Sequence, residues 1–183
     1  MIKTALKTKE NLYYLGIPIL VALFVIKKGK QFDPYHLLLF VLLMVFGYFV
    51  ALSDIKTKTI SNSIILLMLG AWVIVMVPKL FMDTYIGVLL LKNAILGFLI
   101  GGGLFLVVYI VSKKGLGGGD VKFMAAAGLY LGLRAVFSAM FFGTCLAAIT
   151  GLILILLKRI GRKDTIPLAP FLYIGILLTV FSL

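Results

Sequence analysis

A chain of 183 residues that is 63% hydrophobic and only 13% charged, with a mean hydropathy of +1.20, is not an ordinary soluble domain, whose surface needs more polar cover. Its charges come in short clusters between long apolar runs, so lipid is the solvent for most of the chain. The net charge of +12 does not mark a nucleic-acid partner, because Lys and Arg stand at the ends of apolar segments, where they anchor helices among lipid headgroups.

The first ten residues, MIKTALKTKE, are basic and lead into an apolar stretch with no small-residue cleavage site behind it. This predicts a retained first segment over 12–26. Further apolar segments are expected over 34–53, 62–78, 93–112, 120–133, 135–157 and 166–183, each bounded by charge, Pro or Gly. A span needs about 20 helical residues, with a range of about 17 to 25. The segments starting at 34, 93, 135 and 166 reach that length, the one at 62 sits at the low end, and those at 12 and 120 are short. Continuous rather than alternating apolarity argues against a barrel. The expected fold is an all-α polytopic membrane bundle of six to seven transmembrane helices. Residues 1–33 form an N-terminal segment with a short loop, and 34–183 form the main membrane domain.

Loop charge predicts the orientation. With Lys3, Lys7 and Lys9 on the cytoplasmic side, alternation puts Lys56, Lys58, Lys113, Lys114, Lys158, Arg159, Arg162 and Lys163 there too, if 120–133 crosses. Lys27, Lys28 and Lys30 then fall outside, against the rule. Gly97 with Gly101, and Gly128 with Gly132, form GxxxG steps that let helix backbones approach closely.

Acids are scarce, and at membrane depth each asks for a reason. Glu10, Asp33, Asp83 and Asp164 stand in polar or turn-like surroundings and read as loop charges. Asp54 instead ends the run HLLLFVLLMVFGYFVALS, and Asp120 follows KKGLGGG and opens VKFMAAAGLYLG. The alternation above puts both at one membrane face, on helices separated by one out-and-back hairpin. Two facing carboxylates in low-dielectric surroundings share a proton and titrate as a unit. Such a pair can hydrolyse an amide, one member taking a proton from water while the other donates to the carbonyl oxygen. Gly117, Gly118 and Gly119 give a backbone without bulk beside Asp120. On spacing alone, a plain glycine turn with Asp near a helix start is an equal reading.

The stretch Ser53-Asp54-Ile55-Lys56-Thr57-Lys58-Thr59-Ile60-Ser61-Asn62 resembles the first signature of the type IV prepilin peptidases, an aspartate, a basic loop and Ile-Pro-Asn. Gly117-Gly118-Gly119-Asp120 resembles their GxGD element, and Ile166-Pro167-Leu168-Ala169-Pro170-Phe171 resembles their Ile-Pro-Phe-Gly-Pro-Phe. Ser61 replaces the usual Pro, and Leu168-Ala169 replace Phe-Gly. The resemblance covers roughly residues 34–183. It implies a cofactor-free GxGD aspartyl protease of the bacterial cytoplasmic membrane, with Asp54 and Asp120 as the catalytic pair. Its substrates would be prepilins or related pseudopilins of pilus and secretion systems, cut at the cytoplasmic face between a basic leader and an apolar helix. Gly117, Gly118, Gly119, Lys122, Asn62, Pro167 and Pro170 would support the site or position substrate.

Larger family members carry a cytoplasmic insert with paired CxxC elements and also N-methylate the trimmed product. Here only residues 27–33 separate the first two segments, and Cys145 is the single cysteine. We therefore expect neither a zinc-binding insert nor methyltransferase activity. His36 reads as an interfacial packing residue, with no partner ligands for a metal. Lys122 reads as an interfacial anchor, beside a lipid phosphate or the dyad. The competing functional classes are a small transporter or channel, which would place polar groups at helix centres, and a non-catalytic subunit of a pilus or secretion assembly.

Overall fold

A computed structural model of the chain describes residues 16, 18–112, 115–159, 161 and 165–183. The expectations for Lys3, Lys7, Lys9, Glu10, Lys113, Lys114, Arg162, Lys163 and Asp164, and for most of residues 1–17, lie outside the described residues. The described chain is helical without strands: α1 (residues 18–28), α2 (Pro34–Thr57), α3 (Asn62–Met82), α4 (Thr84–Val111), α5 (Gly118–Leu156) and α6 (Ala169–Ser182). Helices α2 to α5 are each long and apolar enough to cross a membrane, and α6 is a shorter apolar helix.

Both sides of these helices are apolar. Leu43, Met68, Phe123, Met124, Val136 and Ile176 are buried, while Leu66, Ile74, Phe81, Val107, Phe141 and Leu156 point outward with large exposed areas. A helix apolar all round belongs in lipid, and the chain is a membrane protein.

The helix starts follow from their sequences. The Asp33 side chain accepts from the His36 N–H and Pro34 follows at the first helical position, where its missing N–H costs nothing. The Asp33 carboxylate also pairs with the His36 ring. Burial pushes the Asp33 carboxyl up, but that hydrogen bond and the charges of His36 and Lys79 outweigh it and hold the group below the ordinary aspartate value. Asp83 accepts from Ile86 N at 3.2 Å, so α4 begins at Thr84 rather than near residue 93. Asp33 and Asp83 are therefore helix caps, more than loop charges. Helix α3 runs through Pro78 to Met82, past the expected stop, since a proline near a helix end removes only one late hydrogen bond.

The segments expected over 120–133 and 135–157 are two arms of α5, which breaks at Gly132 with φ 72° and ψ −179°. A Cβ added to Gly101 would strike both Met124 and Val136. A continuous helix would hold those two residues about 18 Å apart, so the arms fold back as a hairpin. The first arm packs on α4 through the two GxxxG steps, where a Cβ on Gly97 or Gly128 would collide with the opposite backbone. The tip is fully tied down. Leu133 N donates to Asn93 Oδ1 at 3.1 Å, Trp72 Nε1 donates to Leu129 O at 3.0 Å, and Tyr130 Oη donates to Met68 O. Backbone groups freed by a break in an apolar helix need such partners.

One end of the bundle thus gathers the last turn of α2 and the first turns of α3, α5 and α6. The opposite end holds Lys27, Lys28, Lys30, Asp33, Asp83 and the hairpin tip. Helix α1 joins the core through Phe24, fully buried against Phe40 and Phe181.

Candidate active site

Asp54 lies in the last turn of α2, whose end is fixed by Lys58 in a left-handed conformation (φ 52°) with its N–H on Asp54 O at 2.8 Å. Asp120 is the third residue of α5, after the Gly117 N-cap. Both side chains are buried, 6% and 7% exposed, at the edge of a membrane bundle. They line one cavity of about 350 Å³ together with Lys58, Gly115, Leu116, Gly117, Thr165, Ile166, Pro167 and Leu168.

Each carboxylate faces the start of a helix. Ala169 N, the first amide of α6, donates to Asp54 Oδ2 at 3.0 Å. Asp120 sits in the first turn of α5, with the Gly117 amide toward its carboxylate. Helix N-termini carry unpaired N–H groups and a partial positive charge that suits an anion. Asp120 Oδ1 is buried and makes no hydrogen bond among the described residues. A buried acceptor without a partner is costly, and its residue borders the same cavity as Asp54.

The glycines have separate jobs. A Cβ on Gly117 would stand 2.7 Å from Asp120 Oδ2, and one on Gly119 would stand 2.9 Å from Ile60 Cβ. Gly117 thus clears the carboxylate, and Gly119 lets the α2–α3 loop close over α5. A Cβ on Gly118 meets only Tyr109, at an ordinary 3.9 Å. The spacing G-x-G-D follows from these contacts.

Pro167 lines the cavity. With Pro170 in the first turn of α6, it precedes a helix that starts only at Ala169, Leu168 being its N-cap, whereas the sequence suggested a helix from 166. Asn62 and Lys122 lie beside the cavity rather than in it, joined by a hydrogen bond from Lys122 Nζ to Asn62 Oδ1 of 3.0 Å. Cys145 is partly buried on the second arm of α5. His36 is at the other end of the bundle.

Sequence reasoning missed two participants. The Ala169 amide donor is a backbone group, visible only as the residue before Pro170. Lys58 counted there toward orientation and as part of the basic loop, yet it borders the cavity and its Nζ donates to Thr165 O at 3.4 Å, tying the two loops that frame the carboxylates.

The chain is 28% identical over 153 residues to a prepilin leader peptidase/N-methyltransferase of Bacillus subtilis, covering 84% of this chain and 58% of that protein. It is 26% identical over 135 residues to one of Xanthomonas campestris, 70% of this chain and 45% of that protein. The leader peptidase HopD of Escherichia coli is 38% identical over 91 residues, 45% of this chain and 57% of that protein. The chain thus spans about half the length of these curated relatives. No solved structure matches it. The family model of the type IV leader peptidases matches residues 37–152, most of the chain, and the chain belongs to that family.

Proposed function

We propose that this protein is an aspartic endopeptidase that removes the leader of prepilins or related pseudopilins, with Asp54 and Asp120 as its catalytic pair. The observation that carries the reading is the convergence of two buried aspartates on one cavity, with Asp120 Oδ1 unpartnered. Family membership supplies the substrate class.

In the proposed reaction a water molecule lies between the carboxylates. The ionised one takes a water proton as the oxygen attacks the scissile carbonyl carbon, and the protonated one gives its proton to the carbonyl oxygen. The resulting tetrahedral diol collapses, the C–N bond breaks, and the amine leaves with a proton. Only the singly protonated pair is competent, so activity should fall on both sides of an optimum pH.

The site end of the bundle, with Lys56, Lys58 and Lys158, is proposed to face the cytoplasm of a bacterial cell, following loop charge. Lipids surround the helices, and no metal or cofactor takes part. The relatives from Bacillus and Xanthomonas are named for a methyltransferase activity as well. We assign this chain the peptidase alone, since a single cysteine cannot build paired CxxC elements.

The test is co-expression with a Bacillus subtilis prepilin in a host lacking its own leader peptidase, with the product's N-terminus read by mass spectrometry. The wild type should release the leader and leave an unmethylated amine. Leader removal by Asp54→Ala or Asp120→Ala would refute the pair.

A further inference from the structure

A second concavity lies beside the candidate site, and none of the chemistry above uses it. It is a cleft of about 640 Å³ between α3, α4 and the first arm of α5, open to the side. Asn62 and Lys122, joined at 3.0 Å, form its rim at the site end. Leu69 and Phe98 line its deeper part, with Gly102 and Gly103 along α4. From Asn62 to Leu69 on α3, and from Leu106 to Phe98 on α4, the cleft runs about 10–12 Å along the helices, or some two helical turns. Its borders, Leu66 and Leu99, are more than half exposed, as on a lipid-facing surface.

The geometry points to this cleft as the dock for the substrate's apolar segment just past the scissile bond. The inference rests on the proposed leader peptidase reading. A segment cut at its polar boundary has to leave the dyad and enter the bilayer along the helix that carries Asp120. Lys122, on the cleft rim, is two residues past Asp120, which lines the cavity. Polarity also runs in the required order. Chain next to the cut must be unwound to be hydrolysed, and its free carbonyls suit the ammonium and amide donors of Lys122 and Asn62. Deeper residues, regaining a helix, meet an apolar wall.

Gly103 gives the decisive handle, because a Cβ there meets nothing within 4 Å. Gly103→Leu, whose Cβ enters open space at the wall of the cleft, should slow removal of a Bacillus subtilis prepilin's leader at limiting substrate by at least tenfold. Gly70→Leu, equally open but outside the cleft, should match the wild type. For occupancy, Gly103→Cys and, as control, the outward-facing Phe141→Cys are built in an Asp120→Asn, Cys145→Ser background. Each is co-expressed with a prepilin bearing one cysteine a helical turn or two past its cut, and oxidised. A disulfide-linked product from Gly103→Cys alone is the expected result. Wild-type cleavage by Gly103→Leu, or no cross-link from Gly103→Cys, overturns the proposal. A phospholipid that co-purifies with the wild type and is lost in Gly103→Leu, without a cross-link, makes lipid the occupant and overturns it too. Cross-linking needs no turnover. A wild type that cuts nothing therefore counts against the peptidase reading, and the cleft is judged separately.

Discussion

Gly117 and Asp120 are matched in space: the hydrogen side chain of one leaves room for the carboxylate of the other, which would stand 2.7 Å from any Cβ at position 117. Relieving that contact means turning the buried Asp120 carboxylate out of its place. Gly117→Ala should therefore cut leader removal by at least tenfold, as should Gly119→Ala, which drives a methyl into Ile60. Gly118→Ala should stay within about twofold of wild type, because the added methyl makes an ordinary contact and alanine favours a helix by up to about 1 kcal/mol over glycine. Initial rates on one prepilin, with expression level and melting temperature as controls, check the series.

The hairpin tip should be the weak point for stability. Gly132 adopts φ 72° and ψ −179°, a region essentially closed to other residues, costing about 1–3 kcal/mol, and its Cβ would collide with Asn93. Gly132→Ala should lower the melting temperature in detergent more than Asn93→Ala. The latter removes the partner of Leu133 N and should cost about 1–3 kcal/mol. Trp72→Phe, which strips the donor from Leu129 O while keeping most of the bulk, should cost less still.

The Asp33–His36 pair should add acid-sensitive stability at the end opposite the site. The folded-state value of Asp33 lies below its ordinary 3.8. Its contribution is therefore present above pH 3.8 and is lost as pH falls through the lower folded-state value. Melting of wild type and Asp33→Asn, compared between pH 7 and pH 3, should show a gap that closes at the acid end. The group is mostly solvated, so the gap should be small.

Reporter fusions in α2's flanking loops test orientation. Lys30 and Lys58 stand at opposite ends of this helix, and a cytoplasmic reporter should be active at Lys58 and silent at Lys30. The reverse pattern would put the site end outside the cell.

The sequence carried the helical class, the apolar segments and the two aspartates, because lipid-facing helices leave long unbroken runs and acids next to them stand out. The segment boundary expected between residues 133 and 135 lies just past the break at Gly132. What stayed hidden was spatial. The Ala169 amide on Asp54 is a backbone donor with no side-chain signature. The cleft at Gly103 arises from how α3 and α5 flank α4, and Gly103 differs from Gly101 and Gly102 only in what surrounds it. Asp33 and Asp83 looked like loop charges because capping depends on where the next helix starts.

The most direct test is leader removal by purified protein in lipid vesicles, comparing wild type, Asp54→Asn, Asp120→Asn and the double variant. If the two carboxylates work as one unit, each single change should lower the rate by about 10²–10⁴-fold, and the double variant should be no slower than either. A single variant that retains a tenth or more of wild-type activity would contradict the dyad.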